Sequence, residues 1–243
     1  MPARIPAALL FDLDGTLVDS VPDITVAVAE LMESEGLAPF RQEEVRRMVG
    51  YGLATLVERA FAAHGIELGA QDKASKVEKM MGIYPRHLIS RSTLMPGVPD
   101  ALKPLKEAGG RLAVVTNKPQ GAAETVLRHF GIDRYFELIV GDQPLDKTRA
   151  LAPKPKPDML LFAVQQLGAA PSAALMIGDS PADIESAAAA NIFSVAVRGG
   201  YSHVPIESLN PGKTIDRMFD LPMAIDGWAT LHQREAANFD RDI

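Results

Sequence analysis

The sequence predicts an α/β fold in which a parallel sheet is flanked by helices and interrupted by an inserted α-helical segment. Three observations predict it. Residues 7–11 form a short apolar run with the length of a buried strand. Residues 20–92 show helical periodicity and no convincing strand. From residue 97 onward, short apolar runs alternate with amphipathic helices, a pattern typical of parallel strands joined by helices.

The first predicted strand, residues 7–11, ends in a pair of carboxylates, Asp12 and Asp14. Because side chains alternate along an extended chain, both acids are expected to point the same way and to repel each other. Such a pair calls for a cation, a shared proton or both. Gly15 then lets the backbone turn, and residues 16–18 predict a short β-type flap.

The inserted segment predicts four helices separated by glycine-containing breaks. Ser20 and Asp23 have the spacing of a capping box with a proline in the first turn, which indicates a helix start. The predicted helices cover residues 20–36, 42–49, 53–64 and 72–91. A single strand before them cannot stand alone, so the helices are interpreted as an insertion into the sheet domain. The predicted domains are a core, residues 1–17 and 93–243, and a helical cap, residues 18–92.

The chain after the insertion predicts the rest of the sheet. The predicted strands are residues 111–115, 138–140, 174–177 and 193–197, and the predicted helices are residues 98–108, 120–130, 157–167 and 181–190. This alternation places helices on both faces of a parallel sheet. The first strand must join the same sheet, which makes the predicted core Rossmann-like.

Polar side chains follow three of the predicted strands. Asp12 and Asp14 follow the first, Thr116 and Asn117 follow the second, and Asp179 follows the fourth. Ligands of open parallel sheets bind at the carboxyl ends of the strands. Carboxylate oxygens suit a hard cation such as Mg²⁺, whereas hydroxyl and amide groups suit phosphate oxygens. The sequence therefore predicts a phosphate and metal site at this edge.

Two further segments bear on this site. The proline-rich residues 151–157 form a stiff loop that can hold Lys154 or Lys156 over an anion, although a solvated loop is the simpler interpretation when this segment is taken alone. Ser180 and Asp183 have capping-box spacing, so Asp183 serves either a helix start or the site. Both alternatives stay open at this point.

The composition excludes several classes of function. The chain has no cysteine, which removes disulfides, thiolate catalysis and cysteine zinc sites. The net charge is −6 without a long basic run, so neither nucleic acid nor a membrane is an expected partner. There is no secretory signal and no run of 18 apolar residues, which predicts a cytoplasmic protein. Motifs of triphosphate-binding loops and serine hydrolases are absent.

The chain resembles the haloacid dehalogenase-like hydrolase superfamily in four strings that follow the order of its motifs: FDLDGTLVDS, VVTNKP, KPKPDML and MIGDSPADIESA. Within that superfamily it is most similar to the phosphoglycolate phosphatase branch, through DGTLVDSVPDI, VRRMVGYG, LVERAF and VRGGYS. The resemblance implies a core with a helical cap and a Mg²⁺-dependent phosphate monoester hydrolase. The implied substrate is 2-phosphoglycolate, which yields glycolate and phosphate.

The resemblance also implies roles for the acids. Asp12 is implied as the nucleophile that forms an aspartyl-phosphate, and Asp14 as the general acid and base. Asp12, the main-chain carbonyl of Asp14, and Asp179 are the implied ligands of Mg²⁺, with Asp183 orienting the metal site from behind. Because Asp14 can protonate a leaving oxygen, a phosphatase is favoured over a dehalogenase.

Phosphate binding is implied for Thr116, Asn117 and a lysine. Lys154 fits the KPxP pattern better than Lys156 and would neutralise charge on the transferring group. The turn Gly50, Tyr51 and Gly52 is predicted to lower onto the substrate. Five cationic residues are candidates to bind a substrate carboxylate, and the sequence does not choose among them: Arg46, Arg47, Arg59, Arg86 and His87.

The predicted partner is a small phosphorylated metabolite, and the predicted assembly is a monomer or homodimer. Alternative functions are a phosphatase for another small metabolite and a phosphomutase similar to β-phosphoglucomutase. A receiver-like phosphoacceptor module is the non-enzyme alternative. A receiver is about half this length and lacks both the inserted helices and an acid two residues after the acceptor.

Overall fold

The computed structural model describes residues 5–142 and 151–229 and contains a six-stranded parallel sheet. The strands of the described chain are β1 (Ala8–Phe11), β2 (Val18–Asp19), β3 (Thr93–Leu94), β4 (Leu112–Pro119), β5 (Leu138–Asp142), β6 (Ala174–Gly178), β7 (Phe193–Val197) and β8 (Lys213–Ile215). The sheet order is β5-β4-β1-β6-β7-β8, with every neighbouring pair parallel. The predicted fold class is confirmed, and β8 adds an edge strand that the sequence analysis did not predict.

Helices connect the strands. They are α1 (Val21–Ser34), α2 (Gln42–Arg46), α3 (Leu53–Ala63), α4 (Ala70–Ile83), α5 (Val98–Glu107), α6 (Gln120–His129), α7 (Asp158–Gln166), α8 (Pro181–Ala189) and α9 (residues 221–229). The predicted extension of the fourth helix to residue 91 is wrong, because α4 ends at Ile83 and a single 3₁₀ turn follows at Tyr84–Arg86. Pro85 lacks a backbone N–H and cannot continue an α-helix.

Helices of the core cover both faces of the sheet. Leu9 and Phe11 of β1 pack into one hydrophobic cluster with α5, α6, α9 and the inserted helices. Ala8 and Leu10 point to the opposite face and pack with α7 and α8. All four side chains are fully buried, as expected for the central strand of a parallel sheet. The inserted helices are thus docked by the same apolar core that holds the sheet.

Asp23 ties the two ends of the insertion together. The predicted capping box between Ser20 and Asp23 is wrong, since α1 begins without a side-chain cap from Ser20. The Asp23 carboxylate instead accepts hydrogen bonds from the backbone N–H groups of Arg91, at 3.0 Å, and Ser92, at 2.8 Å. Strands β2 and β3 pair antiparallel beside this contact. The chain therefore enters and leaves the insertion side by side.

No helix in the described ranges combines the length and hydropathy that crossing a membrane requires. The predicted core domain also includes residues 1–4, 143–150 and 230–243, which lie outside the described residues. The division of the chain into a core domain and a cap domain stays a prediction.

Candidate active site

Three buried carboxylates meet at the carboxyl edge of the sheet. Asp12 follows β1, Asp179 follows β6, and Asp183 lies in the first turn of α8. One carboxylate oxygen from each residue lies within 4.8 Å of the others, and all three side chains are buried. Like charges at this separation repel strongly away from water. The cluster therefore requires positive charge to be stable with all three acids ionised.

Lys154 supplies part of that charge. Its Nζ donates hydrogen bonds to Asp12 Oδ1 at 2.8 Å, to Asp183 Oδ1 at 2.6 Å, and to a carbonyl oxygen of β4 at 2.8 Å. Asn117 holds the backbone of Lys154 in place, because its amide group accepts from Lys154 N at 2.9 Å and donates to Lys154 O at 2.8 Å. Lys156 is exposed. Of the two candidate lysines, the structure brings Lys154 to the acids.

Asp183 combines the two roles that the sequence left as alternatives, the cap of a helix and a place in the site. Its Oδ2 accepts hydrogen bonds from Ser180 N at 3.0 Å and Ser180 Oγ at 2.7 Å, which forms the predicted capping box of α8. Its Oδ1 simultaneously contacts Lys154. The helix start therefore aims this carboxylate at the site, and the two alternatives coexist in one side chain.

Asp179 is a buried acid without a cationic partner among the described residues. Its oxygens accept hydrogen bonds from Thr16 Oγ1 and from the backbone N–H of Tyr201, both at 2.6 Å. Gly15, with φ +92°, and Gly200 enclose it so closely that a Cβ on either would overlap the carboxylate. The Asp179 carboxylate is thus tightly enclosed, and no lysine, arginine or histidine among the described residues forms an ion pair with it.

The electrostatics of the cluster follow from burial. Burial raises the pKa of Asp12 to about 7, and the charge of Asp183 adds to the shift while Lys154 opposes it. Burial also raises the pKa of Asp179 well above its ordinary value, with Asp12 and Asp183 contributing further. A divalent cation among these oxygens would reverse both effects. Carboxylate oxygens are the donors that hard cations prefer, so the donor set fits such an ion.

Asp14 lies at the other end of the site, away from the carboxylate cluster. Its carboxylate accepts from Lys118 Nζ at 3.0 and 3.2 Å and from Ser20 Oγ at 2.6 Å. Asp12 and Asp14 line one cavity, as their alternation predicts. However, the two acids contact different lysines. Lys118 contacts Asp14 and also Tyr84 of the inserted segment, whereas Lys154 contacts Asp12 and Asp183.

Lys118 is a site residue that the sequence analysis missed. Burial alone lowers the pKa of Lys118, but Asp14 and Tyr84 outweigh it, so the pKa of Lys118 is raised overall. Its Nζ donates to Tyr84 Oη at 2.6 Å. The β4–β5 register is irregular between Val115 and Pro119, the stretch from which Lys118 projects. The string VVTNKP contained Lys118, but no periodicity rule assigns a direction to a residue in such a stretch.

The cavity lies between the strand ends and the inserted helices. Its polar side is built by Asp12, Asp14, Thr116, Asn117 and Lys118, and its apolar side by Ile24, Val49, Leu53 and Leu56. Gly50 and Gly52 also line it, and Gly50 O accepts a hydrogen bond from Asn117 Nδ2 at 3.1 Å. The ring of Tyr51 instead stacks under Arg59, with the guanidinium carbon of Arg59 4.9 Å from the centre of the Tyr51 ring. The role of this turn in binding stays a prediction.

None of the five cationic candidates on the inserted helices lines this cavity. Arg46 stacks on the Tyr201 ring, and Arg59 stacks on Tyr51. Arg86 and His87 both pair with Glu30, and Arg47 is exposed. Charges on exposed helix faces can pair with many different neighbours, which is why sequence alone could not single out one of them.

Tyr201, on the loop after β7, joins the acid cluster to the first inserted helix. Its backbone N–H binds Asp179, as described above, and its hydroxyl accepts from Ser20 N at 2.7 Å and Val21 N at 3.2 Å. The hydroxyl donates to Asp19 Oδ1 at 2.7 Å. Tyr201 thus performs the capping of α1 that the sequence had assigned to Ser20 and Asp23.

Comparisons with known proteins match almost the whole described core. A family model described as haloacid dehalogenase-like hydrolase matches residues 9–197. A phosphoglycolate phosphatase of Caulobacter vibrioides is 37% identical over 220 residues, covering 90% of each chain. Phosphoglycolate phosphatase 1 of Pseudomonas aeruginosa is 39% identical, covering 94% of this chain and 83% of its own. A crystal structure of a predicted phosphoglycolate phosphatase from Haemophilus somnus has a TM-score of 0.81 at 30% identity, covering 90% of this chain and 97% of its own.

Proposed function

The chain belongs to the haloacid dehalogenase-like hydrolase family, and we propose that it is a Mg²⁺-dependent phosphatase that hydrolyses 2-phosphoglycolate to glycolate and phosphate. The observation that carries the proposed chemistry is the cluster of Asp12, Asp179 and Asp183, of which Asp179 lacks a cationic partner among the described residues. The proposed substrate rests on the similarity to the phosphoglycolate phosphatases of Caulobacter vibrioides and Pseudomonas aeruginosa.

The metal would be held by the carboxylates of Asp12 and Asp179 and by the main-chain carbonyl of Asp14, with Asp183 behind them. When bound, Mg²⁺ supplies positive charge that neutralises the acids and the phosphoryl oxygens. Lys154 already bridges Asp12 and Asp183, so it holds the nucleophile in one orientation before the substrate arrives. The exposed Lys156 takes no part.

In the first proposed step, an Asp12 oxygen attacks the phosphorus atom and the bond to the ester oxygen breaks. Asp14, which lines the same cavity, gives its proton to that leaving oxygen. In the second step, Asp14 takes a proton from the water that attacks the aspartyl-phosphate, and the bond between phosphorus and Asp12 breaks. Both products then leave with Asp12 and Asp14 restored.

The phosphoryl oxygens would meet Thr116 first. Its Oγ1 accepts a hydrogen bond from Lys118 N at 3.2 Å. This bond occupies one side of the oxygen, and the hydroxyl hydrogen can point into the cavity that Thr116 lines. The amide of Asn117 is engaged with Lys154 and Gly50. We therefore propose that Asn117 chiefly positions these two segments, and its direct contact with phosphate stays a prediction.

The test measures phosphate release from 2-phosphoglycolate beside sugar phosphates and p-nitrophenyl phosphate, with Mg²⁺ or with EDTA. Asp12→Asn should lower turnover by on the order of 10⁴-fold or more, because it removes the nucleophile. Asp158→Asn, an exposed aspartate at the start of α7, is the matched control and should retain the wild-type rate.

A preference for 2-phosphoglycolate that is lost with EDTA and in Asp12→Asn would support both chemistry and substrate. Comparable rates across the panel would keep the phosphatase and reject the proposed substrate. Isomerisation of a sugar phosphate without phosphate release would favour the phosphomutase. Full activity of Asp12→Asn would reject the proposed mechanism.

A further inference from the structure

The cavity at the site has one cationic side chain among its described lining residues, Lys118. Facing it, the inserted helices contribute an apolar wall that includes Ile24, Leu53 and Leu56. Lys154 is not among the lining residues, and its Nζ donates to three separate groups, Asp12, Asp183 and a carbonyl of β4. A second anionic group of a substrate, outside the phosphate group, can therefore pair with only one cation among the described lining residues, which is Lys118.

Lys118 and Tyr84 form a preassembled pair at that place. The Lys118 side chain is 1% exposed, and its Nζ contacts both oxygens of Asp14, at 3.0 and 3.2 Å, and Tyr84 Oη at 2.6 Å. A lysine ammonium has three hydrogens to donate, and the two oxygens of one carboxylate can share a single hydrogen, which leaves one hydrogen of Lys118 for a ligand. The Tyr84 hydroxyl accepts from Lys118, and no described residue accepts its own hydrogen. The pair thus offers an ammonium and an adjacent hydroxyl donor to a ligand.

The position of the pair matches the covalent structure of the proposed substrate. In 2-phosphoglycolate a single methylene separates the ester oxygen from the carboxylate. The ester oxygen must lie within hydrogen-bond reach of Asp14 for that residue to protonate it. Lys118 is also one hydrogen bond from Asp14. A carboxylate one carbon beyond the ester oxygen therefore falls beside Lys118 and Tyr84.

We propose that Lys118 and Tyr84 bind the carboxylate of the leaving group and select small phosphorylated α-hydroxy acids over other phosphate esters. This inference rests on the proposed phosphatase function and names the residues that set its specificity. Burying a carboxylate against the apolar wall is costly unless a cation and a hydrogen-bond donor satisfy it. The same wall offers no partner to the hydroxyl groups of a sugar, so sugar phosphates leave polar groups unsatisfied.

Tyr84 gives the inserted helices a direct part in this selection. It lies in the 3₁₀ turn after α4, whereas Lys118 belongs to β4 of the core. The carboxylate is therefore bound from both sides of the cavity. The two partners also differ in chemistry, because Lys118 supplies charge and Tyr84 supplies only a neutral hydrogen bond, so their removal should have unequal effects.

The test compares 2-phosphoglycolate with ethyl phosphate, which keeps the phosphate and the first methylene and replaces the carboxylate by a methyl group. The readout is the ratio of the two kcat/KM values. Lys118→Met should lower this ratio about 100-fold, since it removes the charge but keeps the chain length. Tyr84→Phe should lower it about 10-fold. Lys103→Met, at an exposed position on α5, is the control and should leave the ratio unchanged.

Because both substrates need Asp14 equally, the ratio separates carboxylate binding from damage to the acid. If Lys118→Met and Tyr84→Phe slow both substrates by the same factor, the pair acts only through Asp14 and the proposal is overturned. Tyr84→Phe removes one oxygen atom, so it decides the matter if circular dichroism shows Lys118→Met to be unfolded.

Failure of the proposed function gives a different result, namely no hydrolysis of either ester by the wild type. In that case calorimetric binding to Asp12→Asn still tests the subsite. Tighter binding of 2-phosphoglycolate than of ethyl phosphate, abolished by adding Lys118→Met, would support it. Equal binding of the two esters would overturn it.

Discussion

The two ends of the site each contain a buried lysine, and the partners of the two lysines differ in origin. Lys154 and Lys118 are both 1% exposed, and each contacts one acid of the first motif. The partners of Lys154 Nζ belong to the core: Asp12, Asp183 and a carbonyl of β4. Lys118 contacts Asp14 on the core side and Tyr84 on the inserted helices.

This difference separates the proposed chemistry from the proposed selection. The Lys154 end is assembled by strand ends, by the start of α8 and by the loop that holds Lys154, and it meets the inserted segment through the hydrogen bond from Asn117 Nδ2 to Gly50 O. The Lys118 end is completed by a hydroxyl from the insertion. Side chains held by the sheet are suited to a fixed nucleophile, whereas a cavity closed by a second element can be shaped for a particular leaving group.

Lys154→Met is expected to cause the largest loss of stability, about 3–5 kcal/mol, because it leaves Asp12 and Asp183 buried without their cation. Urea denaturation with EDTA present measures it. Lys156→Met, two residues away and exposed, should change the free energy of unfolding by less than about 0.5 kcal/mol. A Lys154→Met protein as stable as the wild type would show that the core end does not rely on this lysine.

The second prediction concerns pH. Burial raises the pKa of Asp12 from 3.8 to about 7, so the folded protein retains a proton that the unfolded chain has released. The Asp12 contribution therefore lowers the free energy of unfolding as pH rises through this window, by at most about 1.4 kcal/mol per pH unit. Urea titrations of the wild type in EDTA at pH 5, 6 and 7 should show this loss relative to Asp12→Asn. Parallel pH profiles for the two proteins would contradict the prediction, and Mg²⁺ should reduce the slope.

Lys118→Met is expected to cost less than Lys154→Met, about 1–3 kcal/mol. The carboxylate of Asp14 is 13% exposed and keeps its hydrogen bond from Ser20 Oγ. Hydrogen bonds from water and from this hydroxyl can therefore replace part of the stabilisation that Lys118 provides. The same denaturation experiment compares the two variants directly. Equal losses would mean that the acids at the two ends of the site depend on their lysines to the same extent.

Tyr201→Phe is expected to have the smallest effect, about 1 kcal/mol, because it removes the hydroxyl that caps α1. The bond from its backbone N–H to Asp179 survives the substitution, so the core end should retain its acid cluster. Tyr135→Phe, whose hydroxyl makes an exposed contact, serves as the control in thermal unfolding. A loss of several kcal/mol would indicate that the cap of α1 and the acid cluster are coupled through Tyr201.

Much of the core end could be predicted because it is encoded locally. The apolar run before Asp12 specifies a buried strand, and the parallel arrangement brings the end of that strand beside those of its neighbours. The capping-box spacing predicted the helix start that orients Asp183. The choice between Lys154 and Lys156 needed the structure, since both occupy the same stiff loop. Cytoplasmic location and the monomeric or dimeric state stay predictions.

The insertion end could not be predicted to the same depth. The start of α1 shows why, since the expected cap from Ser20 and Asp23 was replaced by the Tyr201 hydroxyl, 181 residues away from Ser20. Likewise, all five helix cations considered for carboxylate binding lie outside the cavity lining. A helix pattern predicts which face is apolar, but not which polar group its terminus meets after docking.

Local sequence patterns were enough to predict five strands of the sheet, the helical insertion and the acids at the strand ends, because periodicity and chain direction act over a few residues. Only the folded chain shows that Lys154 bridges two acids, that Asp179 is left without a cation among the described residues, and that Lys118 contacts Tyr84. These contacts join residues 29 to 142 positions apart. Their geometry depends on how two packed layers dock, and local sequence patterns do not carry that information.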